Sequence, residues 1–473
     1  MRDPMAAGKS PKSFDRSIVE GPIAAAVWKL AWPTVLGNVI GGLQGVVDHA
    51  MVGHYVGYTG NAAIGVSLQI FLVVVVFVMS LYTGMGVLVA RFAGANDPAK
   101  VNHVVYQAVV ATVVLAVAIL APVGWLLAPS LLALVRAAPE VQLEALPYLR
   151  LMFLGNIGMM SFFLLSGALR AAGDAQTPLR LGAAMTALNI VCNVILIRGL
   201  GPIPAYGTMG AAMGTLIAGI VVGAVGFWLM LSGRLVIHWP REMSRRVDWP
   251  TIRELFRFGL PAGLQGIAMN VAGVFLLRFI GSLRQSAEAQ AAYAVAYTEL
   301  FSLVTWTSVG LMGAAAAVAG QNLGAQKPER VAQAVRIAST YGVGIAVVVG
   351  TLFLLVPEAL LAVFGMTDAV SVAIATELMG WLAVSGLFVS TALTYTGGLQ
   401  GTGDTKGPLY ISIISQIVVP LGLLSVLQMQ GPLEPVDIWR AIVLGHLTRG
   451  ALSVLRFRRG AWKGIEIGKG VAG

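Results

Sequence analysis

A single cysteine, Cys192, stands in 473 residues and lies in an apolar run, so an intramolecular disulfide and a cysteine-held metal cluster are both excluded. Charge is scarce too. Asp, Glu, Lys and Arg make up 11% of the chain, against about 25% in a soluble domain, so most of the molecule lacks the polar surface that water requires. Catalytic signatures are missing: there is no H-E-x-x-H, G-x-S-x-G or phosphate-loop pattern. An intramembrane enzyme, such as a lipid transferase, would need His, Asp or Glu clustered on facing helices, and only scattered singles are seen. Nothing calls for a metal or an organic cofactor. Short alternating apolar segments are absent, which excludes a β-barrel. Residues 1–20 are polar and basic without a hydrophobic core, so a tail is expected there in place of a cleaved signal peptide.

What is present is apolar surface: 57% of the residues, with a mean hydropathy of +0.82. Runs long enough to span a bilayer, near 20 residues each, fall at 23–52, 62–90, 103–129, 147–169, 178–200 and 208–231, then at 256–282, 288–319, 333–356, 373–398, 408–428 and 437–456. The halves also repeat. Gly167-Ala-Leu-Arg-Ala-Ala-Gly-Asp174 returns as Gly397-Gly-Leu-Gln-Gly-Thr-Gly-Asp404, and Gly94-Ala-Asn-Asp-Pro98 as Gly324-Ala-Gln-Lys-Pro328, both at an offset of 230 residues. The expected fold is therefore an all-α integral membrane protein. Twelve transmembrane helices form two six-helix lobes, related by a pseudo-two-fold axis along the membrane normal, with a path between them. The divisions are a tail over 1–22, an N-lobe over 23–231, a linker over 232–255, a C-lobe over 256–456 and a tail over 457–473.

The cations give the orientation. With the N-terminus in the cytoplasm, 25 of the 31 Lys and Arg fall on the cytoplasmic side, the bias that the positive-inside rule describes. Arg170, Arg241, Arg449 and Lys469 are counted on that side; Arg136, Arg150, Arg198, Arg278, Arg284 and Arg440 lie toward the other. The bias explains the net charge of +10 without nucleic acid. A multi-pass protein of a bacterial inner membrane, monomeric and lipid-bound, with both termini cytoplasmic, is the expectation.

Acidic residues are informative because the bilayer penalises them. Asp48 follows the apolar run Trp32 to Val47 in the first span, roughly 28 Å along the helix from Lys29. A carboxylate there costs about 2.5–3.5 kcal/mol by insertion scales. Desolvation penalises its charged form, which opens proton exchange as a role; the alternative is a helix-end aspartate capping a loop near Gly53. Glu299, in the eighth span, is a possible C-lobe site, a carboxylate bonded to neighbouring helices, or one near a water-filled opening. His49 and His54 read as interfacial, and His446 in the last span has no assigned role. Pro33 and Pro261 each sit early in the first span of a repeat, where proline bends a helix. The proline offset of 228 puts Leu276 opposite Asp48, so the lobes are chemically unequal.

Together these residues resemble the multidrug and toxic compound extrusion (MATE) family, over about Ile23 to Phe457. The likeness rests on Pro33 with Val47-Asp48-x-x-Met51-Val-Gly53, on Gly167-Ala-Leu-Arg170-x-x-Gly173-Asp174-x-x-x-Pro178, on Gly201-Pro-Ile-Pro204 and on Gly320-Gln-Asn-Leu-Gly324. It implies cation-driven export of hydrophobic or cationic organic compounds by alternating access. It also implies Asp48 as the coupling residue and Pro33 as a hinge. The family's Asn-x-x-x-Asp is here Asn189-Ile-Val-Cys-Asn193, whose two amides would support Asp48, with Gln44 one turn before it. The sodium-coupled branch carries further acids where this chain has Met269-Asn270 and Phe388-Val-Ser390. The chain therefore looks more like the DinF-type, proton-coupled branch, with sodium coupling or a lipid-linked saccharide flippase as alternatives. Such flippases usually have fourteen spans and line the cavity with cations.

Overall fold

A chain in a bilayer has to satisfy each backbone donor and acceptor internally, and helices do so segment by segment. The computed structural model, which describes residues 13–135, 137–240, 243–468 and 471, is built that way. Among the described residues twelve long helices succeed one another. The first six are α1 (Ile23–Tyr55), α2 (Tyr58–Gly94), α3 (Pro98–Leu134), α4 (Pro139–Ala171), α5 (Gln176–Arg198) and α6 (Gly207–Leu231). The second six are α7 (Trp249–Gly281), α8 (Ser286–Gly324), α9 (Pro328–Leu355), α10 (Ala369–Gly401), α11 (Lys406–Gln430) and α12 (Pro435–Arg458). The first eleven are long and apolar enough to cross a membrane. The last is less apolar, carrying Asp437, Arg440, His446, Arg449, Arg456 and Arg458. π-helical turns widen α3 at Val114–Leu120, α8 at Tyr293–Leu300 and α11 at Ile414–Val418. Arg2, Lys9, Lys12, Arg136, Arg241 and Lys469 lie outside the described residues.

The repeated motifs are connectors, and their chemistry explains the repetition. Asn96 and Gln326, 230 residues apart, both take a left-handed backbone, with φ of 58° and 60°, and end α2 and α8. Proline opens the next helix in each case, at Pro98 and Pro328. Gly173 and Gly403 adopt φ of 100° and 97°, a region that glycine enters without steric cost. The aspartate after each caps the following helix: Asp174 accepts from the Thr177 amide at 3.0 Å and Asp404 from the Gly407 amide at 3.0 Å. Asp404 is also held by Arg456, at 2.7 and 3.1 Å.

Each lobe has its own apolar core. Phe71 of α2 and Phe153 of α4 meet in the first at 5.6 Å between ring centres, and Phe301 and Trp439 are buried in the second. Glycines let the lobes touch backbone to backbone, as in close membrane-helix packing. A Cβ on Gly94 would stand 1.9 Å from the Gln321 carbonyl oxygen, and one on its repeat mate Gly324 would stand 2.0 Å from that of Arg91. Farther along, Gly84 and Gly259 set α2 against α7, where added Cβ atoms would meet the Leu255 and Ser80 carbonyl oxygens at 1.9 and 2.2 Å. Gly310 sets α8 against Val35 of α1. These crossings lie in the half of the bundle toward the repeated connectors, its basic end.

Both chain ends and the linker are tied down at that end. A single helical turn, Ser17–Glu20, spans the joint: Arg16 donates to the Gly94 carbonyl at 3.3 Å, and Arg330 to that of Gly21 at 2.7 Å. Ile18 is fully buried. From the other terminus, Trp462 is buried, the Ile465 carbonyl accepts from Arg91 at 3.5 Å, and the Gly468 amide donates to Glu254 at 3.4 Å. The linker is strapped along α3. Its Arg246 carbonyl accepts from Gln107 at 2.7 Å, and Asp248 meets His103 at 2.9 Å. Burial alone would raise the Asp248 carboxyl, but hydrogen bonds from Thr251 and His103 hold it below the usual carboxylate range.

Candidate coupling site and central cavity

Asp48 sits five residues past Leu43 on α1, half-buried against α5. Its Oδ1 accepts from Asn193 Nδ2 at 2.6 Å. Asn189 lies one turn earlier on the same face of α5, and both amides are fully buried. With its nitrogen turned toward the carboxylate, Asn189 donates to the same Oδ1 at 3.0 Å while its oxygen accepts from the Thr215 hydroxyl of α6 at 3.1 Å. Tyr148 of α4 is buried within electrostatic reach of Asp48. Gln44 faces α5 as well, accepting from the Thr186 hydroxyl at 3.0 Å. The structure thus gathers Asp48, Gln44, Asn189 and Asn193 on one side of α1. No cation bonds to the Asp48 carboxylate among the described residues.

Asn193 shows how tightly this pocket is built. Its Oδ1 is buried without a hydrogen-bond partner and lies where a Cβ on Gly214 would be 2.1 Å away. Gly214→Ala is therefore expected to push the Asn193 amide off Asp48. Overpacking of this kind costs about 1–3 kcal/mol. Thermal unfolding of the purified variant, beside Gly65→Ala, where nothing lies within 4 Å of the added carbon, checks it.

The opposite side of α1 belongs to the other lobe. Asn38 donates to the Trp306 carbonyl of α8 at 3.2 Å, and a Cβ on Gly42 would run into the Trp306 ring at 2.0 Å. Val35, Asn38 and Gly42 make one stripe, on the C-lobe; Gly37, Gln44 and Asp48 make another, on α5. Pro33 is buried at the base of both, before Thr34.

A cavity of 290 Å³ opens beside that base, between the lobes, near the lower bound of small-molecule pockets at about 300 Å³. It lies across the pseudo-two-fold axis, because its walls are repeat mates: Tyr82 and Met312, Thr83 and Gly313, Arg170 and Gln400. The charge pattern of the sequence puts Arg170 among the cations of a connector. The structure puts it at the cavity wall, half-buried and with no hydrogen bond to a described residue. One cation, then, does line this space.

Residues 33–195 and 261–424 match the family model MatE, one copy in each lobe and together more than half of the chain. The chain belongs to the MatE family. Two relatives match this MATE chain nearly end to end. "Probable multidrug resistance protein NorM" of Thermotoga maritima is 26% identical over 444 residues, covering 92% of both chains. "Multidrug resistance protein PmpM" of Pseudomonas aeruginosa is 26% identical over 451 residues, covering 92% of this chain and 91% of its own. Among solved structures, an outward-facing conformation of a multidrug resistance MATE family transporter superposes with a TM-score of 0.87 at 22% identity, over 96% of this chain and 100% of that one. That likeness speaks for the fold alone.

Elsewhere in this MATE bundle the outcomes differ. Glu299 lies in the π-helical turn of α8, exposed, and joins no polar cluster in the C-lobe interior. His49 is half-buried and shares a hydrogen with Asn61 of α2 at 2.6 Å; His54 is exposed. Pro261 is buried in α7, and Leu276, opposite Asp48, is buried in the C-lobe core. Sequence reasoning missed Thr215, Tyr148 and Trp306, none of which carries a spacing signal. It also missed the polar surroundings of His446 in the C-lobe.

Proposed function

We propose that this chain is a proton-coupled exporter of hydrophobic or cationic organic compounds, working by alternating access as a DinF-like MATE transporter. It would sit in a bacterial inner membrane as a lipid-surrounded monomer, with both termini cytoplasmic. The observation that carries the reading is the double allegiance of α1: Asp48 binds its far half to the N-lobe, and Asn38 and Gly42 seat its near half on Trp306 of the C-lobe. A proton on Asp48 converts an acceptor-only carboxylate into a group with one donor. The amides beside it serve either state, since a turned Asn193 presents Oδ1, now unpartnered, in place of Nδ2. Protonation removes the charge from the Asn193–Asp48 bond, and charge-assisted hydrogen bonds are the stronger kind, so α5 holds α1 less firmly once Asp48 is neutral. Because Pro33 lies at its base, α1 can bend there without unfolding.

In the cycle this supports, a proton from outside binds Asp48, the cargo leaves, and the lobes reverse about the glycine crossings. The relatives' names support drug-like cargo. The test uses the purified full chain in vesicles loaded with a fluorescent organic cation, under a proton gradient at equal sodium or a sodium gradient at equal pH. The proton gradient alone is expected to speed transport several-fold; a response to sodium alone overturns the reading. Tags at residues 240 and 470 should both report the cytoplasm.

A further inference from the structure

The C-lobe buries a cation that no described carboxylate balances. On α12, His446, Arg449 and Ser453 fall on one face at helical spacing, 4%, 7% and 0% exposed. His446 is anchored on both sides. Its Nδ1 meets the Ser385 hydroxyl of α10, and its Nε2 lies 3.5 Å from the Tyr297 hydroxyl of α8. The Tyr297 ring stacks on Tyr293 at 4.8 Å, and Phe301 lies 6.2 Å from the imidazole. Arg449 has no such anchor. Its Nε is buried without a partner, and its guanidinium makes no hydrogen bond or ion pair with a described residue. Its electrostatic neighbours are the Tyr297 hydroxyl and the His446 imidazole. The Ser453 hydroxyl, one turn on, is buried and unpartnered too.

Carboxylates on the same helices are engaged or turned away. Glu299 and Glu377 are exposed, and Glu288 is half-buried in the first turn of α8, nine residues before Tyr297. Asp437 caps the start of α12 through the Glu434 amide at 3.0 Å, and Asp404 is held by Arg456. A guanidinium stays charged at any ordinary pH and presents five donors. Inside a membrane protein such a group pairs with a counter-charge or lines an ion or substrate path. The offset of 230 that relates the lobes puts Thr215, of the Asp48 pocket, opposite Gly445, next to His446. Each lobe holds its own interior polar site, an acid in the first and, in the second, a cation with no ion pair among the described residues. The two are not repeat mates, since Leu276 stands opposite Asp48, and Val419 and Leu423 opposite Asn189 and Asn193.

We propose that Arg449, with the hydroxyls of Tyr297 and Ser453, forms an anion site in the C-lobe, taking one monovalent anionic group. That group is either a free halide or the carboxylate of an exported compound. The site goes beyond the proton coupling proposed above and does not require it.

The test measures the melting temperature of the purified full chain at constant ionic strength. Sodium methanesulfonate, neither a halide nor a carboxylate, is exchanged stepwise for sodium chloride, sodium bromide or sodium benzoate. A saturable rise of about 3 °C or more is expected for an anion that binds the folded state. A rise with both halides assigns a free inorganic anion, and a rise with benzoate alone assigns a cargo carboxylate. Arg449→Gln should abolish the rise and Arg449→Lys retain part of it. Asp48→Asn should leave it intact, which separates this site from the failure of proton coupling. Should Arg449→Gln not fold, anomalous diffraction from wild-type crystals in bromide and in brominated benzoate decides, with a peak expected at the guanidinium. A melting temperature indifferent to all three anions, an equal rise in Arg449→Gln, or crystals without that peak would overturn the proposal.

Discussion

Asp48→Asn is expected to abolish proton-driven transport while leaving the bundle folded. Asparagine keeps the acceptor oxygen that Asn193 and Asn189 address, so the packing of α1 on α5 survives and the melting temperature should move little. What disappears is the group that distinguishes a protonated from an unprotonated transporter. A ligand with no differential affinity for two states shifts nothing between them, and a side chain that cannot take up a proton gives the gradient no purchase. Gradient-driven efflux should fall about tenfold or more, to the rate without a gradient, whereas exchange without a gradient should persist. The sign in pH is set by the same group: wild-type transport depends on external acidity and the variant's does not. Vesicle assays at several external pH values read both. Transport in the variant that still tracks pH would remove Asp48 from the coupling role.

The second large effect is expected where the lobes cross. Gly84→Ala and Gly259→Ala place a carbon 1.9 and 2.2 Å, respectively, from a carbonyl oxygen of the facing helix, a backbone atom that no rotamer change can move. The helices have to separate. A penalty of about 2 kcal/mol for overpacking acts only when the basic end is closed, since an opened joint has room for the methyl. The closed arrangement should then lose roughly thirtyfold in population, and transport should fall although the protein still inserts. Cysteine pairs across α2 and α7 would report the gap through cross-linking yield. Gly86→Ala, two residues along α2 with nothing within 4 Å, is the control. Equal cross-linking and transport in all three variants would mean that the crossing does not govern closure.

The architecture was legible because the repeat is written in residues that have one physical use. Gly173 and Gly403 turn the chain through positive φ, and Asp174 and Asp404 cap the helices that begin after them. Helix ends were less legible. The helix α4 starts at Pro139, before the apolar run from 147, and α7 at Trp249, before 256, because polar ends lengthen a helix past the oily segment that betrays it. Asp48 stood out in its span, and its partners on α5 came from the family pattern. Thr215 and Trp306 did not, since contacts between distant helices leave no periodicity. Arg449 shows the opposite failure. Charge counting groups it with the cations of the chain's tail, yet it lies nine residues inside α12 and is buried. Its spacing from His446 and Ser453, three polar residues along one stripe of an apolar helix, was the signal available.

The stitching of both chain ends across the joint has a consequence for how reversal begins. Before Gly94 and Gly324 can part, Arg16 has to release one lobe or Arg330 the other, and the Ile465 carbonyl has to leave Arg91. Amide exchange at Ile18 and Ile465 should thus quicken ahead of any long helix, so that loosening of these two straps is the first sign of the lobes parting.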